Sequence, residues 1–303
     1  MSQATLSVVP AGASSKLRLF AADIKISHTV FALPWAVLAA FLAAGGWPGW
    51  GRVGLVVGCM VCARTVAMAA NRLLDARLDE LNPRTARRAI PSGALSPGFY
   101  GVAAGACCVG FLFGCVGFLA FYGNPWPTYL GPLVLVFLSA YPLMKRFTRL
   151  CHYYLGLALA LAPVCAWVAV AGSIGWPPVV MAGAVLLWTA GFDIIYACQD
   201  CESDRETGVF SVPAKIGVGR ALWVARLTHL ACAALLITIG LVTPLLGPIY
   251  YVGAGIAVAL LVTEHALVRE NDLSKVGLAF FTINGVISVL LGTLGVIDVF
   301  VGS

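Results

Sequence analysis

The sequence predicts an all-α, polytopic membrane fold with nine spans, and three observations carry that reading. Hydrophobic residues make up 60% of the 303 and charged residues only 11%, where a soluble chain carries about 25% charged. Mean hydropathy is +0.93. Apolar stretches of the length a bilayer demands, about 20 residues, recur nine times between turn-rich breaks. The same composition excludes a nucleic-acid binder, because the net charge of +6 is scattered over short loops and forms no basic face. It also excludes a disulfide-stapled secreted domain, since nearly all ten cysteines lie inside apolar runs.

In order, the spans run over about 25–44, 51–74, 97–121, 129–143, 153–171, 178–198, 221–242, 249–268 and 276–301. The connections at 45–50, 123–127, 172–178 and 243–248 are short and rich in Gly, Pro and Trp. That chemistry makes tight turns and sets tryptophan at headgroup depth. Cations gather on the other connections: Lys16, Arg18 and Lys25, then Arg72, Arg77, Arg84, Arg87 and Arg88, then Lys145, Arg146 and Arg149. Arg205, Lys215, Arg220 and Arg226 surround the sixth connection, and Arg269 and Lys275 the eighth, while the opposite set holds only Arg52. The positive-inside rule then places the N-terminus in the cytoplasm and the C-terminus outside the cell membrane. Residues 1–18 are polar and lack a signal peptide's charged-then-apolar order, so they read as a flexible tail. Residues 19–303 read as one transmembrane domain.

Carboxylates are costly at membrane depth and are functional candidates by default. Most of the thirteen acidic residues fall in two clusters. Asn71, Asp75 and Asp79 close the second span; Asp193, Tyr196, Asp200 and Asp204 close the sixth. At about 100° per residue, positions i, i+4 and i+7 share a helix face, so each cluster forms a stripe, with Arg64 on the first. Two facing rows of hard oxygen ligands would repel unless a cation lay between them, and Mg²⁺ suits carboxylates, water and phosphate oxygens. The plainer alternative is that these acids cap helix ends and pair with Arg77, Arg84, Arg88 and Arg205. It accounts for one cluster more easily than for two that match.

Loops with the donors a diphosphate needs follow each cluster. After the first come Pro83, Arg84, Thr85, Arg87, Arg88, Pro91, Ser92 and Gly93; after the second, Gly208, Ser211, Pro213, Lys215 and Gly217. Tyr141, Lys145 and Arg146 end the fourth span on the same side.

Together these residues resemble the UbiA-type intramembrane prenyltransferase superfamily. Its N-x-x-x-D-x-x-x-D, R-T-x-x-R and P-S-G elements match Asn71, Asp75, Asp79, Arg84, Thr85, Arg88, Pro91, Ser92 and Gly93. Its D-x-x-x-D matches Asp200 and Asp204, and its Y-x-x-x-K matches Tyr141 and Lys145. The resemblance covers about residues 20–300 and looks closest to the 4-hydroxybenzoate polyprenyltransferase-like branch, which includes menaquinone enzymes using 1,4-dihydroxy-6-naphthoate. One departure is Arg72, where 4-hydroxybenzoate enzymes often carry aspartate.

The resemblance implies helices around a central cavity with a polar cytoplasmic end, and transfer of a polyprenyl group from polyprenyl diphosphate to a small aromatic acceptor in ubiquinone or menaquinone synthesis. On that basis Asn71, Asp75, Asp79, Asp200 and Asp204 hold Mg²⁺, and Arg84, Arg88, Lys145, Arg146 and Lys215 meet the diphosphate. Tyr196, Phe192 or Tyr141 face the allylic cation, and Asp193 is the candidate proton acceptor. Arg64 is expected either to hold an acceptor carboxylate or to pair with Asp193 or another acid. His28, at the start of the first span, is a further candidate acceptor contact.

Other signals carry less. Cys59/Cys62 and Cys198/Cys201 have metal-ligand spacing, but they sit in or at the end of apolar helices with no partner motif. His152, His229 and His265 form no pattern. A secondary transporter is the rival of another class, but its binding groups belong near the bilayer midplane. A CDP-alcohol phosphotransferase needs a D-x-x-D-G run that is absent.

Overall fold

The computed structural model describes residues 13–301, the side chains of 13–14 and 26–28 excepted. Apart from one isolated bridge between Arg269 and Asp272, its regular structure is helical. In order come α1 (Ala13–Asp23), a 3₁₀ turn (Ile26–Phe31), α2 (Leu33–Ala44), α3 (Trp50–Leu81), α4 (Pro97–Tyr122) and α5 (Trp126–Met144). Then follow α6 (Cys151–Ala171), α7 (Trp176–Ala197), a second 3₁₀ turn (Cys198–Asp200), α8 (Cys201–Glu206), α9 (Val212–Ile216), α10 (Val218–Val242) and α11 (Pro248–Leu267). The chain ends with α12 (Val276–Leu278), a π-turn (Ala279–Ile283) and α13 (Asn284–Val301). Among the described residues eight helical stretches are long and apolar enough to cross a bilayer, and Thr29–Ala44 is a shorter apolar ninth. The chain is an integral, multi-pass membrane protein.

Three elements depart from the simple picture of spans. The first span is not one helix from residue 25. The chain breaks at Lys25, whose φ of 49° is left-handed, winds as 3₁₀ to Phe31, and starts α2 with Pro34 in its first turn. Part of the segment read as tail is α1; residues 1–12 lie outside the described residues. The second span does not stop at residue 74: α3 runs on for 32 residues to Leu81. At 1.5 Å per residue that is about 48 Å, well beyond the hydrocarbon. The added turns carry Asp75 and Asp79 out of the apolar layer on the same rigid rod as Asn71.

The sixth span breaks after Ala197. Three residues of 3₁₀ turn by about 120° each where an α-helix turns by 100°, so the chain past them is swung by roughly 60°. The stripe from Asp193 to Asp204 is therefore not one face. Because successive spans alternate in direction, the ends of α3, α5 and α7, the turn at 24–31 and the loops at 82–96 and 207–217 all gather at one end of the bundle.

Small residues allow the close packing that membrane interfaces use in place of a hydrophobic drive. A methyl group at Gly156 on α6 would overlap the Leu186 carbonyl oxygen of α7, and Ala158, Ala160, Ala162, Ala166 and Ala169 of α6 are all buried. α1 docks on this bundle through Phe20. Its ring packs edge-on to Phe99 and Tyr100 at 5.6 and 5.0 Å, over a floor of Ala69, Ala89 and Leu95.

Candidate active site

A cavity of about 340 Å³ opens at the end where the acids and cations gather. Its depth is apolar, walled by Val56 and Ala63 of α3, Phe111 and Phe118 of α4, Leu130 and Val134 of α5 and Ala162 and Ala166 of α6. Its mouth is polar, with Lys25, Arg64, Asn71, Arg72 and Arg88 on the rim. A long apolar tail with an anionic head fits that gradient, since the tail avoids water and the head meets fixed cations.

The two acidic rows meet at this mouth, and Asp75, Asp79 and Asp200 are each held by a base. Lys145 Nζ lies 2.7 Å from Asp75 Oδ2, which also accepts from the Asn71 amide at 2.7 Å. Arg146 stands 3.6 Å from Asp75 Oδ1 and donates to the Leu74 carbonyl. Arg88 clasps both oxygens of Asp79 at 2.7 and 2.8 Å. Arg84 grips Asp200 with two bonds of 2.8 and 2.5 Å, and the Asn82 amide adds a third at 3.0 Å. The loop supplying Arg84 and Arg88 is closed by Gly93, whose φ of 73° is the left-handed corner that a side chain resists. The pairing with Arg84 and Arg88 matches the plainer expectation, and side-chain cations already offset the repulsion between the rows: buried carboxylates take whatever cation is at hand. Among the described residues no three acid, histidine or cysteine side chains converge as a ready metal nest.

The donor set nonetheless fits a hard divalent ion. Asp75, with a side chain 1% exposed, keeps Oδ1 buried without a hydrogen-bond partner. Such an orphaned oxygen is costly unless something binds it. Asn71, Asp79, Asp200 and Asp204 add only oxygen donors; Asp204 stands one turn beyond Asp200, within the field of Asp200 and Lys145.

The remaining sequence candidates divide. Arg64 does not pair with Asp193: its guanidinium donates to the Lys25 carbonyl at 3.0 Å and lines the cavity one turn pair from Asn71. Tyr141 and Tyr196 both line the cavity; Tyr196 accepts from Arg84 at 2.9 Å, with the guanidinium over its ring. Asp193 is corrected. It turns away from the mouth to His152, 2.7 Å distant, whose other ring nitrogen accepts from the Val212 N–H. The break after Ala197 separates it from Asp200. Lys215 is corrected as well, being exposed with its ammonium 4.0 Å over the Phe210 ring. The His28 side chain lies outside the described residues.

Two residues that shape the mouth escape a reading of the sequence. Asp23 joins Arg72, at 3.0 Å, to the Tyr100 hydroxyl and the Ala89 N–H. Arg72 in turn donates to Asn71 Oδ1 at 2.7 Å, so Asp23 sets the rim of the site from outside it. Lys25 lines both the main cavity and a smaller basic recess with Arg72, Arg84, Arg87 and Arg88. Burial, then the guanidinium groups of Arg88, Arg84 and Arg72, push its ammonium down to about 8. Its left-handed backbone is strain of the kind kept at functional sites. The only signal in the sequence was that Lys25 is the last of three cations ahead of the first span.

The sequence and the fold are similar to those of known proteins. The sequence profile of the UbiA prenyltransferase family matches residues 32–286. The 4-hydroxybenzoate octaprenyltransferase of Vibrio vulnificus is 31% identical over 260 residues, 85% of this chain and 89% of its own length. The structure of a UbiA homolog from Aeropyrum pernix K1 superposes with a TM-score of 0.81 at 30% identity, covering 90% of this chain and 98% of that one. A UbiA homolog from Archaeoglobus fulgidus bound to DMAPP and Mg²⁺ has the same fold at 18% identity, with a TM-score of 0.69 over 93% of this chain and 99% of that one. With the motif residues collected around one cavity mouth and the match extending over most of its length, the chain belongs to the UbiA prenyltransferase family.

Proposed function

We propose that the chain transfers a polyprenyl group from polyprenyl diphosphate to 4-hydroxybenzoate or a closely similar aromatic acid, in ubiquinone or menaquinone synthesis, with Mg²⁺ as cofactor. The observation that carries this reading is the mouth itself: acidic rows paired with cations at the polar end of an apolar cavity. The cation clusters on one set of loops support a cytoplasmic site in the inner membrane. The names of the relatives, 4-hydroxybenzoate octaprenyltransferase among them, support the acceptor class.

Asn71, Asp75, Asp79, Asp200 and Asp204 would hold the metal, which would supply stabilisation of the charge that builds on the leaving diphosphate. Lys145, Arg146, Arg84 and Arg88 then exchange their carboxylate partners for diphosphate oxygens. The C1–O bond of the prenyl diphosphate breaks with its electron pair on oxygen, beside these cations. Phe192 and Tyr196 line the cavity and supply aromatic rings to stabilise the allylic cation, and the apolar walls exclude water. Arg64 receives the acceptor carboxylate and so turns the ring toward that carbon.

Membranes containing the chain, supplied with Mg²⁺ and a polyprenyl diphosphate, are expected to prenylate 4-hydroxybenzoate; turnover confined to 1,4-dihydroxy-6-naphthoate reassigns the acceptor, and no diphosphate consumption with either rejects the reading. Arg64→Leu is expected to raise KM for the acceptor about tenfold or more, the worth of one charge-assisted hydrogen bond, with KM for the diphosphate unchanged. Lys25 adds a pH dependence. With its free-enzyme pKa at about 8, Lys25 is charged below that pH and binds the diphosphate best there. Above it, binding must first take up a proton, so KM for the diphosphate rises with pH. Initial rates between pH 7 and 9.5 check this, and Lys25→Arg flattens the profile because arginine keeps its charge.

A further inference from the structure

Between α12 and α13 the chain winds as a π-turn over Ala279–Ile283, a rare form concentrated at functional sites. Asn284 holds it from the side. Its amide donates to the Ala279 carbonyl, five residues back, at 3.2 Å and to Glu264 Oε1 of α11 at 2.9 Å. Its oxygen accepts from the Trp188 indole N–H of α7 at 2.6 Å. Asn284 and Glu264 are wholly enclosed and Trp188 is 1% exposed. One side chain thus joins three spans in a layer where no water can substitute for a lost partner. Glu264 even leaves Oε2 without a partner, a cost borne at the same node.

The π-turn presents Phe280. Its ring lines the cavity and meets Tyr196 at 4.2 Å, Phe192 at 5.1 Å and Phe31 at 5.7 Å. Tyr196 is bound to Arg84, and Arg84 to Asp200, so this aromatic wall adjoins the acidic rim. The extra residue of a π-turn fixes the rotation of the helix before it: rewinding to plain α-helix would swing Phe280 by about 100°.

We infer that Asn284 is a positioning residue, pinning the π-turn so that Phe280 walls the reacting end of the cavity. The inference rests on the prenyl-transfer reading and adds a means by which this chain keeps the allylic cation from water. Once the C1–O bond breaks, the cation has two fates. A ring carbon of the acceptor attacks it and then loses a proton to the released diphosphate, giving the prenylated acid; or water attacks and passes a proton to the same diphosphate, giving the prenyl alcohol. A displaced Phe280 shifts the balance toward water.

The test uses the full chain in membranes with Mg²⁺, geranyl diphosphate and 4-hydroxybenzoate, and measures prenylated acid and geraniol together. Asn284→Leu is expected to lower kcat for ring prenylation about tenfold and to raise the alcohol fraction several-fold, with KM for the diphosphate within about twofold. Phe280→Leu reproduces the split. Glu264→Leu moves it the same way, and Glu264→Gln, which still accepts from the Asn284 amide, recovers most of the loss. Should Asn284→Leu fail to fold, Trp188→Phe removes one bond of the node and decides by a smaller shift in the same direction. A folded Asn284→Leu or Phe280→Leu with the parent's product ratio and kcat overturns the inference while the parent's turnover leaves prenyl transfer standing. A parent chain that consumes no geranyl or longer diphosphate defeats the prenyl-transfer reading, and this inference with it.

Discussion

Asp75→Ala is expected to reduce prenyl transfer by about three orders of magnitude, the scale of losing a metal ligand and the charge stabilisation it organises, while the protein still inserts. Asp75 is the most enclosed acid of the mouth, with Lys145 and Asn71 on one oxygen and nothing hydrogen-bonded to the other. On the proposed reading its removal would take a ligand from the metal, and it leaves Lys145 and Arg146 without their anion. Asp200→Ala acts from the opposite row, freeing Arg84 from its two-point grip. Asp75→Asn separates the possibilities within the site. It keeps the shape and one oxygen but drops the charge, so a metal-ligand role predicts a loss close to that of alanine, with a raised Mg²⁺ requirement. A role confined to steering Lys145 predicts partial activity and an unchanged Mg²⁺ profile. Product formation at matched protein levels over a Mg²⁺ titration reads both. Near-normal turnover in Asp75→Ala and Asp200→Ala together removes the basis of the assignment.

Hydrophobic runs are dictated by the bilayer's thickness, so the spans were legible, and the i, i+4 spacing of Asn71, Asp75 and Asp79 needed only that α3 be a helix. What spacing cannot reveal is a partner contributed by another span. Arg84 takes Asp200, and His152 takes Asp193, across gaps that helix packing alone closes. The loss of the second stripe has the same origin. Nothing in Tyr196-Ala197-Cys198-Gln199-Asp200 is a helix breaker, yet the chain tightens to 3₁₀ there while Asp200 meets Arg84 and Asn82 from the first loop. Asn284 was visible as a polar residue in an apolar span, a functional pointer in its own right; the π-turn it holds was not, because i→i+5 winding leaves no residue pattern.

Asp23→Ala is expected to be nearly as damaging for activity as Asp75→Ala, through stability and geometry and without touching the substrate. Asp23 and Arg72 form an ion pair with side chains 8% and 3% exposed, and removing one member of such a pair costs about 3–5 kcal/mol because the other is left buried and unpaired. Two further elements lose their link at once, the Ala89 N–H of the 82–96 loop and Tyr100 at the start of α4, while Arg72 keeps only the Asp23 backbone carbonyl of α1. A milder change isolates the energetics, since Tyr100→Phe drops only the hydroxyl bond to the same carboxylate and is expected to cost about 1.5–3 kcal/mol, the range for a hydrogen bond to a charged group. A double variant isolates the geometry. Asp23→Leu with Arg72→Met replaces the pair by apolar groups of similar bulk and so removes the buried unpaired charge; the thermal midpoint in detergent is expected to recover part of the way toward that of the parent, falling short by the bonds lost at the Tyr100 hydroxyl and the Ala89 N–H. Activity is not expected to return, because Arg72 also holds Asn71 Oδ1 at the rim of the cavity, and without it the first acidic row loses the side chain that orients its leading ligand. Recovery of both stability and turnover in the double variant would reduce Arg72 and Asp23 to a structural clamp; recovery of stability alone makes the pair the outer support on which Asn71 and the metal site depend.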